Sequence, residues 1–152
     1  MEFSKEINQT KPFRSEAIKA MLNVIYTANK FQTKSVSLLK PYKINDQHYN
    51  ILRILKGKKG KPASPGEIKS VLVDSRGDLT RLIDKLVKME LVDRCNNNKD
   101  RRGVDILITT KGLSLLTTIE KEFDANQVYD FAINETEAKQ LNILLDKIRT
   151  NQ

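Results

Sequence analysis

Two groups of basic and hydroxyl side chains near the middle of this sequence have types and spacings suited to nucleic-acid chemistry. The first group consists of Ser75, Arg76, Thr80, Arg81 and Lys85, and the second consists of Lys99, Arg101 and Arg102. A guanidinium group can donate two hydrogen bonds to guanine O6 and N7, and hydroxyl groups can donate to phosphates or base edges. Both groups are therefore predicted to contact double-stranded DNA.

Two of the acidic residues among these cations, Asp78 and Asp100, are expected to play different roles. Asp78 lies on the face that carries the first group, where its carboxylate either accepts from cytosine N4 or caps the helix. Of these two roles, we favour capping. Asp100 precedes the last two arginines, and its negative charge would repel phosphate. We therefore expect Asp100 to orient Arg102 or the surrounding loop.

The positive charge of the chain is concentrated around these residues. The 152 residues include 27 Lys and Arg against 19 Asp and Glu, which gives a formal net charge of +8. Residues 53–111 contain 15 basic and eight acidic side chains and hold +7 of that charge. A solvated basic face is the simpler explanation, but charge confined to one compact module favours a polyanionic partner.

Several classes of protein are disfavoured by the sequence. No apolar run approaches the roughly 20 residues needed to span a bilayer, and residues 1–13 lack the apolar region of a secretory signal. One cysteine cannot form an intrachain disulfide and fits a reducing cytosol, so we expect a cytoplasmic protein without a membrane partner. Gly-rich phosphate loops, nucleophile elbows and HExxH motifs are absent, so neither an enzyme nor a cofactor is expected.

The single histidine and the single cysteine are assigned modest roles. Metal sites usually recruit several His or Cys ligands, so no metal site is expected, and His48 is predicted to lie on a helix surface or an interface. The less favoured alternative places His48 with Tyr26 or Tyr49 in an effector pocket. Cys95 lies beside Arg94, and a neighbouring cation can lower the pKa of a thiol. A redox role for Cys95 is therefore conceivable but disfavoured.

Helical spacing and capping residues predict the elements that position these side chains. Residues 1–11 are expected to be loosely ordered, followed by a helix from Pro12 to Lys40 that Pro41 ends. Further helices are predicted to follow caps at Asn45, at Ser64, at Asp74 or Ser75, at Thr109 or Thr110, and at Asn134, with the fourth of them spanning residues 111–131. Strands are predicted at residues 91–95 and 104–109, on either side of the basic loop 96–103.

This order of elements resembles the MarR family of bacterial transcriptional regulators, and the resemblance covers nearly the whole chain. Its most specific part is the pattern Asp, any residue, Arg, five residues, Leu-Thr. Here the pattern reads Asp100-Arg101-Arg102, five residues, Ile108-Thr109, with a conservative departure at Ile108. Residues 75–94 also resemble the recognition helix of the family and the turn that leads into its wing.

The resemblance implies a mainly α fold with a small antiparallel β-wing, in which a winged helix-turn-helix is flanked by N- and C-terminal dimerisation helices. Residues 1–152 would form one MarR-like domain, with the DNA-binding lobe at 44–110 and dimerisation helices at 12–40 and 111–150. A homodimer would bind a pseudo-palindromic operator whose half-sites lie roughly 10–10.5 bp apart or a multiple of that. Arg102 corresponds to the wing arginine of the family, which enters the flanking minor groove.

The resemblance further implies a repressor that a small aromatic effector releases from DNA, although some relatives activate transcription. Two alternatives belong to other classes. One is an architectural protein that binds DNA without sequence preference, because electrostatic attraction alone reads no sequence. The other is a winged-helix module for protein contacts, which the charge distribution disfavours.

Overall fold

A computed structural model of the protein describes residues 2–74, 77–97, 103–128 and 131–150. The elements in chain order are α1 (Phe3–Glu6), α2 (Glu16–Leu39), a 3-10 turn (Lys40–Tyr42), α3 (Asp46–Gly57), α4 (Pro65–Val71), α5 (Leu79–Lys88), β1 (Val92–Asn96), β2 (Val104–Ile108), α6 (Thr110–Ala125) and α7 (Glu135–Thr150). The predicted fold class, mainly helical with a two-stranded antiparallel wing, is confirmed.

Four of the predicted helix caps are confirmed. Side-chain oxygens of Asn45, Ser64, Thr109 and Asn134 accept hydrogen bonds from backbone N–H groups three residues further along the chain. The cap of α4 is reciprocal, because the Glu67 carboxylate accepts from the Ser64 N–H at 2.8 Å. Each cap satisfies backbone donors that have no partner inside the helix, and this explains why the chain turns into a helix at these positions.

The start of the first long helix was predicted wrongly. It begins at Glu16, where the Ser15 hydroxyl accepts from the Ile18 N–H at 3.3 Å, and not at Pro12. The preceding segment contains α1 and is anchored by Phe3, which is only 8% exposed. The Phe3 ring lies 5.8 Å from that of Phe13 and 5.6 Å from that of Tyr26. Residues 1–11 were predicted to be loosely ordered because their composition is polar. The burial of the Phe3 ring against these two rings instead anchors this segment to α2.

The end of α6 was also predicted wrongly, since the helix stops at Ala125 and not at residue 131. Gln127 has a positive φ of 51°. Its N–H donates to the Asp124 carbonyl at 3.0 Å, and the Val128 N–H donates to the Phe123 carbonyl at 2.9 Å. This pair of bonds is the Schellman arrangement that ends many helices. Glycine usually marks that position, so a glutamine there gave no signal in the sequence.

The main core joins α3, α4, α5 and the hairpin to α6. Its large fully buried side chains are Leu39 of α2, Ile51, Leu52 and Leu55 of α3, Ile68 of α4, Leu86 of α5, Val92 and Ile106 of the hairpin, and Leu116 and Ile119 of α6. The hairpin pairs Val92 with Ile108 and Asn96 with Val104. Ala63, just before α4, adds a bridge to Ile106 through two backbone hydrogen bonds of 2.9 and 2.8 Å, a strand contact that the sequence did not predict.

Helices α2 and α7 leave most of their apolar side chains uncovered in the single chain. Leu39 is the one buried residue of α2, and α7 has none. The exposed apolar residues include Met21, Leu22 and Ile25 of α2 and Leu141, Leu144 and Ile148 of α7. Within the described residues, no helix is both long and apolar enough to cross a membrane.

Candidate nucleic-acid interface

Helix α5 begins at a carboxylate cap. The Asp78 Oδ1 accepts from the N–H groups of Thr80 at 3.0 Å and of Arg81 at 3.4 Å. The capping interpretation of Asp78 is therefore confirmed, and the interpretation of Asp74 as the cap of this helix is wrong. The helix starts several residues later than predicted, and the side chain of Gln47 lies against Gly77 just before the cap.

The two faces of α5 are chemically distinct. Ile83 is 2% exposed and Leu86 is fully buried, and both pack into the core described above. Thr80, Arg81 and Lys85 are exposed on the other side. An exposed arginine one turn from a helix start, beside a short hydroxyl, can reach base edges if the helix enters a major groove.

An ion pair joins α5 to the wing. Arg94 of β1 donates from its Nη2 to the Oδ1 of Asp84 on α5. Exposed pairs of this kind contribute little to stability. The pair lies between the exposed face of α5 and the strand that leads toward the basic loop.

The base of the hairpin is closed by polar contacts. The Asn97 N–H donates to the Gly103 carbonyl at 3.0 Å, and the Asn97 Nδ2 donates to the Asp105 Oδ1 at 3.0 Å. Asp105 is 9% exposed, and the amide of Asn97 satisfies its buried carboxylate.

Several predicted contact residues lie outside the described part of the chain. They are Ser75 and Arg76 before α5, and Lys99, Arg101 and Arg102, together with Asp100, at the tip of the hairpin. Of the predicted contacts, the structure places Asp78, Thr80, Arg81 and Lys85 together on α5 or at its cap. The roles of the remaining residues stay predictions from the sequence.

The turn after α3 adds a basic edge beside α4. Lys58 pairs with Glu67 at 2.9 Å, while Lys59 and Lys61 are exposed. The backbone N–H of Ser64, followed by Lys58, holds the pKa of Glu67 down at about 2, so this carboxylate remains charged at any ordinary pH. Lys59 and Lys61 are therefore the cations of this turn that remain available for phosphates.

The prediction that His48 lies on a surface is wrong. His48 is 4% exposed, and its Nδ1 accepts from the Asn45 N–H at 3.2 Å, which completes a capping box at the start of α3. Burial, with a smaller effect from the Lys85 charge, lowers the pKa of His48 to about 4. Its position three residues after the cap, where Glu or Gln usually stands, was the signal that could have revealed this role.

A cavity of about 660 Å³ lies between α2, α3, α6 and the connection from α4 to α5. Tyr49 lines it, and its ring lies 5.9 Å from the Arg53 guanidinium and 5.1 Å from the Phe123 ring. The predicted grouping of this tyrosine with Tyr26 and His48 is wrong. Tyr26 lines a separate cavity of about 150 Å³ beside α1, and His48 is buried in the first turn of α3.

The surroundings of Cys95 and of the possible metal ligands bear on the redox and metal-binding roles considered above. Cys95 is half-buried, and its Sγ donates to the Asp105 carbonyl at 3.6 Å. Across the described ranges, no three His, Cys, Asp or Glu side chains are placed to hold a metal ion.

The sequence of this chain is similar to those of known transcriptional regulators. The sequence model described as "MarR family" matches residues 44–104, which include α3, α4, α5 and most of the hairpin. The transcriptional regulator PapX of Escherichia coli is 30% identical over 102 residues, which is 67% of this chain and 61% of PapX. The chain spans about three fifths of the length of the curated relatives it matches.

Solved structures share the fold. A mutant MarR of Escherichia coli in complex with operator DNA superimposes with a TM-score of 0.73 at 24% identity, covering 91% of this chain and 99% of that one. The organohalide-sensing regulator RdhR in its 2,4-dichlorophenol-bound form gives a TM-score of 0.76 at 16% identity, with coverages of 95% and 88%.

Proposed function

Since this chain belongs to the MarR family, we propose that it is a transcriptional regulator that binds double-stranded DNA as a homodimer. The observation that carries the proposal is α5, whose exposed Thr80, Arg81 and Lys85 stand opposite a fully buried Leu86. A helix held by its apolar side, with arginine and hydroxyl groups on the other, is suited to reading a major groove.

The contacts divide into two kinds. Arg81 and Thr80 near the start of α5 read bases, because residues at the start of a recognition helix reach the base edges. Lys85, Lys59 and Lys61 contact phosphates, which fix position without reading sequence. The wing residues Lys99, Arg101 and Arg102 contact the flanking groove, and Ser75 and Arg76 extend the reading surface before α5. A MarR protein of related fold has been solved with operator DNA.

A homodimer would cover the apolar faces of α2 and α7. Leu141, Leu144 and Ile148 of α7 are each about half exposed in the single chain, and such a contiguous apolar face is unfavourable for a helix in water. We propose that residues 44–110 form the DNA-binding lobe, that residues 12–40 and 111–150 dimerise, and that together they form one unit. Two-fold symmetry then requires an operator with two similar half-sites.

The proposed activity is repression, relieved by a small aromatic effector in the cavity between α2, α3 and α6. Phe31, Tyr49 and Phe123 give this cavity aromatic walls, and its volume of about 660 Å³ suits a small molecule. A structural neighbour binds 2,4-dichlorophenol. Non-specific DNA binding is the second candidate, because the basic turn and wing would support it without α5.

The deciding experiment selects bound fragments from the source organism's genomic DNA and measures affinity for the enriched duplex and for random duplex at moderate salt. We expect an inverted repeat that is preferred at least about 1,000-fold, the lower end for specific binders. Equal affinity for both duplexes would contradict sequence-specific regulation and favour non-specific DNA binding.

A further inference from the structure

The connection between α4 and α5 forms part of the wall of the large cavity. Leu72, Val73 and Asp74 line it, and a few residues later Asp78 caps α5. Leu72 packs against the core, while Val73 is 92% exposed.

Two amide side chains of α3 hold the connection. The Gln47 carboxamide lies against Gly77, because a Cβ atom at Gly77 would stand 2.7 Å from Nε2 and 3.0 Å from Oε1 of Gln47. Asn50 accepts a hydrogen bond from the Val73 N–H at 3.4 Å. Gln47 and Asn50 also line the cavity. One side chain, Gln47, thus contacts both the cavity and the residue just before the cap of α5.

The backbone beneath Gln47 is held firmly, so movement is confined to its side chain. Asn45 and His48 form reciprocal hydrogen bonds around it at 3.0 and 3.2 Å. Ile51 and Leu52, in the next turn, are fully buried. A ligand in the cavity can therefore rotate the Gln47 carboxamide away from Gly77 without displacing α3.

We propose that Gln47 is a positioning residue that links the contents of the cavity to the placement of α5. A small aromatic molecule with one hydrogen-bonding group would stack among Phe31 and Phe123 and bind the carboxamide of Gln47, which then leaves Gly77. The connection loses this contact, and α5 loses its fixed start. Since coupling between two sites is reciprocal, DNA that holds α5 in place would exclude such a ligand. This inference rests on the proposed role of α5 in reading DNA.

The chain offers a matched control in Gln32. Gln32 lines the same cavity from α2, and within the described residues its side chain makes no hydrogen bond. Removing its carboxamide changes the cavity without touching the connection. A difference between Gln47→Ala and Gln32→Ala is therefore a difference in positioning and not in cavity size.

The first experiment compares these two variants by DNA affinity, melting temperature and hydrogen exchange. We expect Gln47→Ala to weaken binding to the selected duplex about fivefold, because the loss of one contact that positions α5 corresponds to roughly 1 kcal/mol. Its binding to random duplex and its Tm stay unchanged, while amide exchange in residues 77–82 becomes faster. Gln32→Ala leaves all four quantities unchanged. Equal behaviour of the two variants, or a specific loss that follows a lower Tm, overturns the inference.

The second experiment uses Gly77→Ala, which places a methyl group against the Gln47 carboxamide. We expect Gly77→Ala to weaken specific binding in the wild-type chain but to add no loss in the Gln47→Ala chain, because its partner is then gone. Additive losses would contradict the link. If the wild-type chain binds the selected and random duplexes equally, the proposed function fails. The difference in amide hydrogen exchange between Gln47→Ala and Gln32→Ala still tests whether Gln47 positions α5.

Discussion

At the scale of single residues, Arg81 separates sequence reading from general attraction to DNA. We expect Arg81→Ala to weaken binding to the selected duplex by about 1–3 kcal/mol, the value of one good base contact. Binding to random duplex should change much less. Lys139→Ala, which removes an exposed cation of α7 that pairs with Glu135 on the same helix, is the matched control. Filter-binding or gel-shift titrations at one salt concentration measure both, and an equal loss on both duplexes would assign Arg81 to phosphate contact.

His48 gives a residue-scale prediction about pH. Its pKa is about 4 in the folded chain, mainly because of burial, against 6.5 for an exposed histidine. Below pH 6.5 His48 is protonated in the unfolded chain but stays neutral in the folded chain. The free energy of unfolding therefore falls as the pH falls from about 6.5 to 4. Between pH 7.5 and pH 5 we expect the wild-type chain to lose about 2 kcal/mol from this residue.

The variant His48→Gln isolates this effect. Glutamine at the third helical position can still accept from the Asn45 N–H, so the capping box is kept while the titrating group is removed. Urea unfolding at a fixed protein concentration should show a smaller loss between pH 7.5 and 5 for the variant than for the wild type. The same loss in both proteins would assign the acid sensitivity to other groups.

At the scale of elements, the start of α6 depends on a glycine. Gly112 lies in the first turn of α6, and a Cβ atom there would stand 2.2 Å from the Leu91 carbonyl oxygen. Thr109 holds the same junction, since its hydroxyl donates to the Glu90 carbonyl at 2.8 Å. We expect Gly112→Ala to destabilise the chain by about 1–3 kcal/mol, as overpacking usually does.

Gly57 provides the control for this prediction. It is the last residue of α3, and a Cβ atom there would meet nothing within 4 Å. Gly57→Ala should leave the Tm unchanged or raise it slightly, because alanine favours the helical conformation. If Gly112→Ala melts at the same temperature as Gly57→Ala, the backbone at Leu91 yields more readily than the structure indicates.

The elements show which features the sequence could reveal and which it could not. Local signals were sufficient where a side chain bonds to its own helix, as at Asn45, Ser64 and Asn134, or where apolar spacing marks a buried face, as in α5. They failed where a distant contact decides. Phe3 is ordered by rings of Phe13 and Tyr26, and α6 ends through a left-handed Gln127 that no glycine announces.

The candidate site divides in the same way. The exposed polar face of α5 follows from the local spacing of Thr80, Arg81 and Lys85 opposite a buried stripe. The position of Gln47 against Gly77 joins residues 30 apart in sequence, and nothing in the composition of either segment predicts it. Features that depend on tertiary packing, including the cavity and the buried His48, therefore required the structure.

At the scale of the whole molecule, the exposed apolar faces of α2 and α7 are the surfaces that the proposed homodimer would bury. Leu144 is 58% exposed and Leu141 is 46% exposed on the same side of α7. A dimer that buries this face would be disrupted by a charge placed in its centre. We expect Leu144→Glu to raise the dimer dissociation constant by about 100-fold, within the range for a central interface residue.

The control variant Asn142→Glu adds the same charge on the opposite side of the helix, where it should leave the dimer intact. Sedimentation velocity at micromolar concentration distinguishes the two species. DNA binding supplies the second readout, because half-sites one helical turn apart require two copies of α5 held at a fixed distance. Leu144→Glu should therefore bind the inverted repeat no better than a single half-site, while Asn142→Glu should behave as the wild type does. A Leu144→Glu chain that remains dimeric would move the interface away from α7 and remove the reason for its exposed leucines.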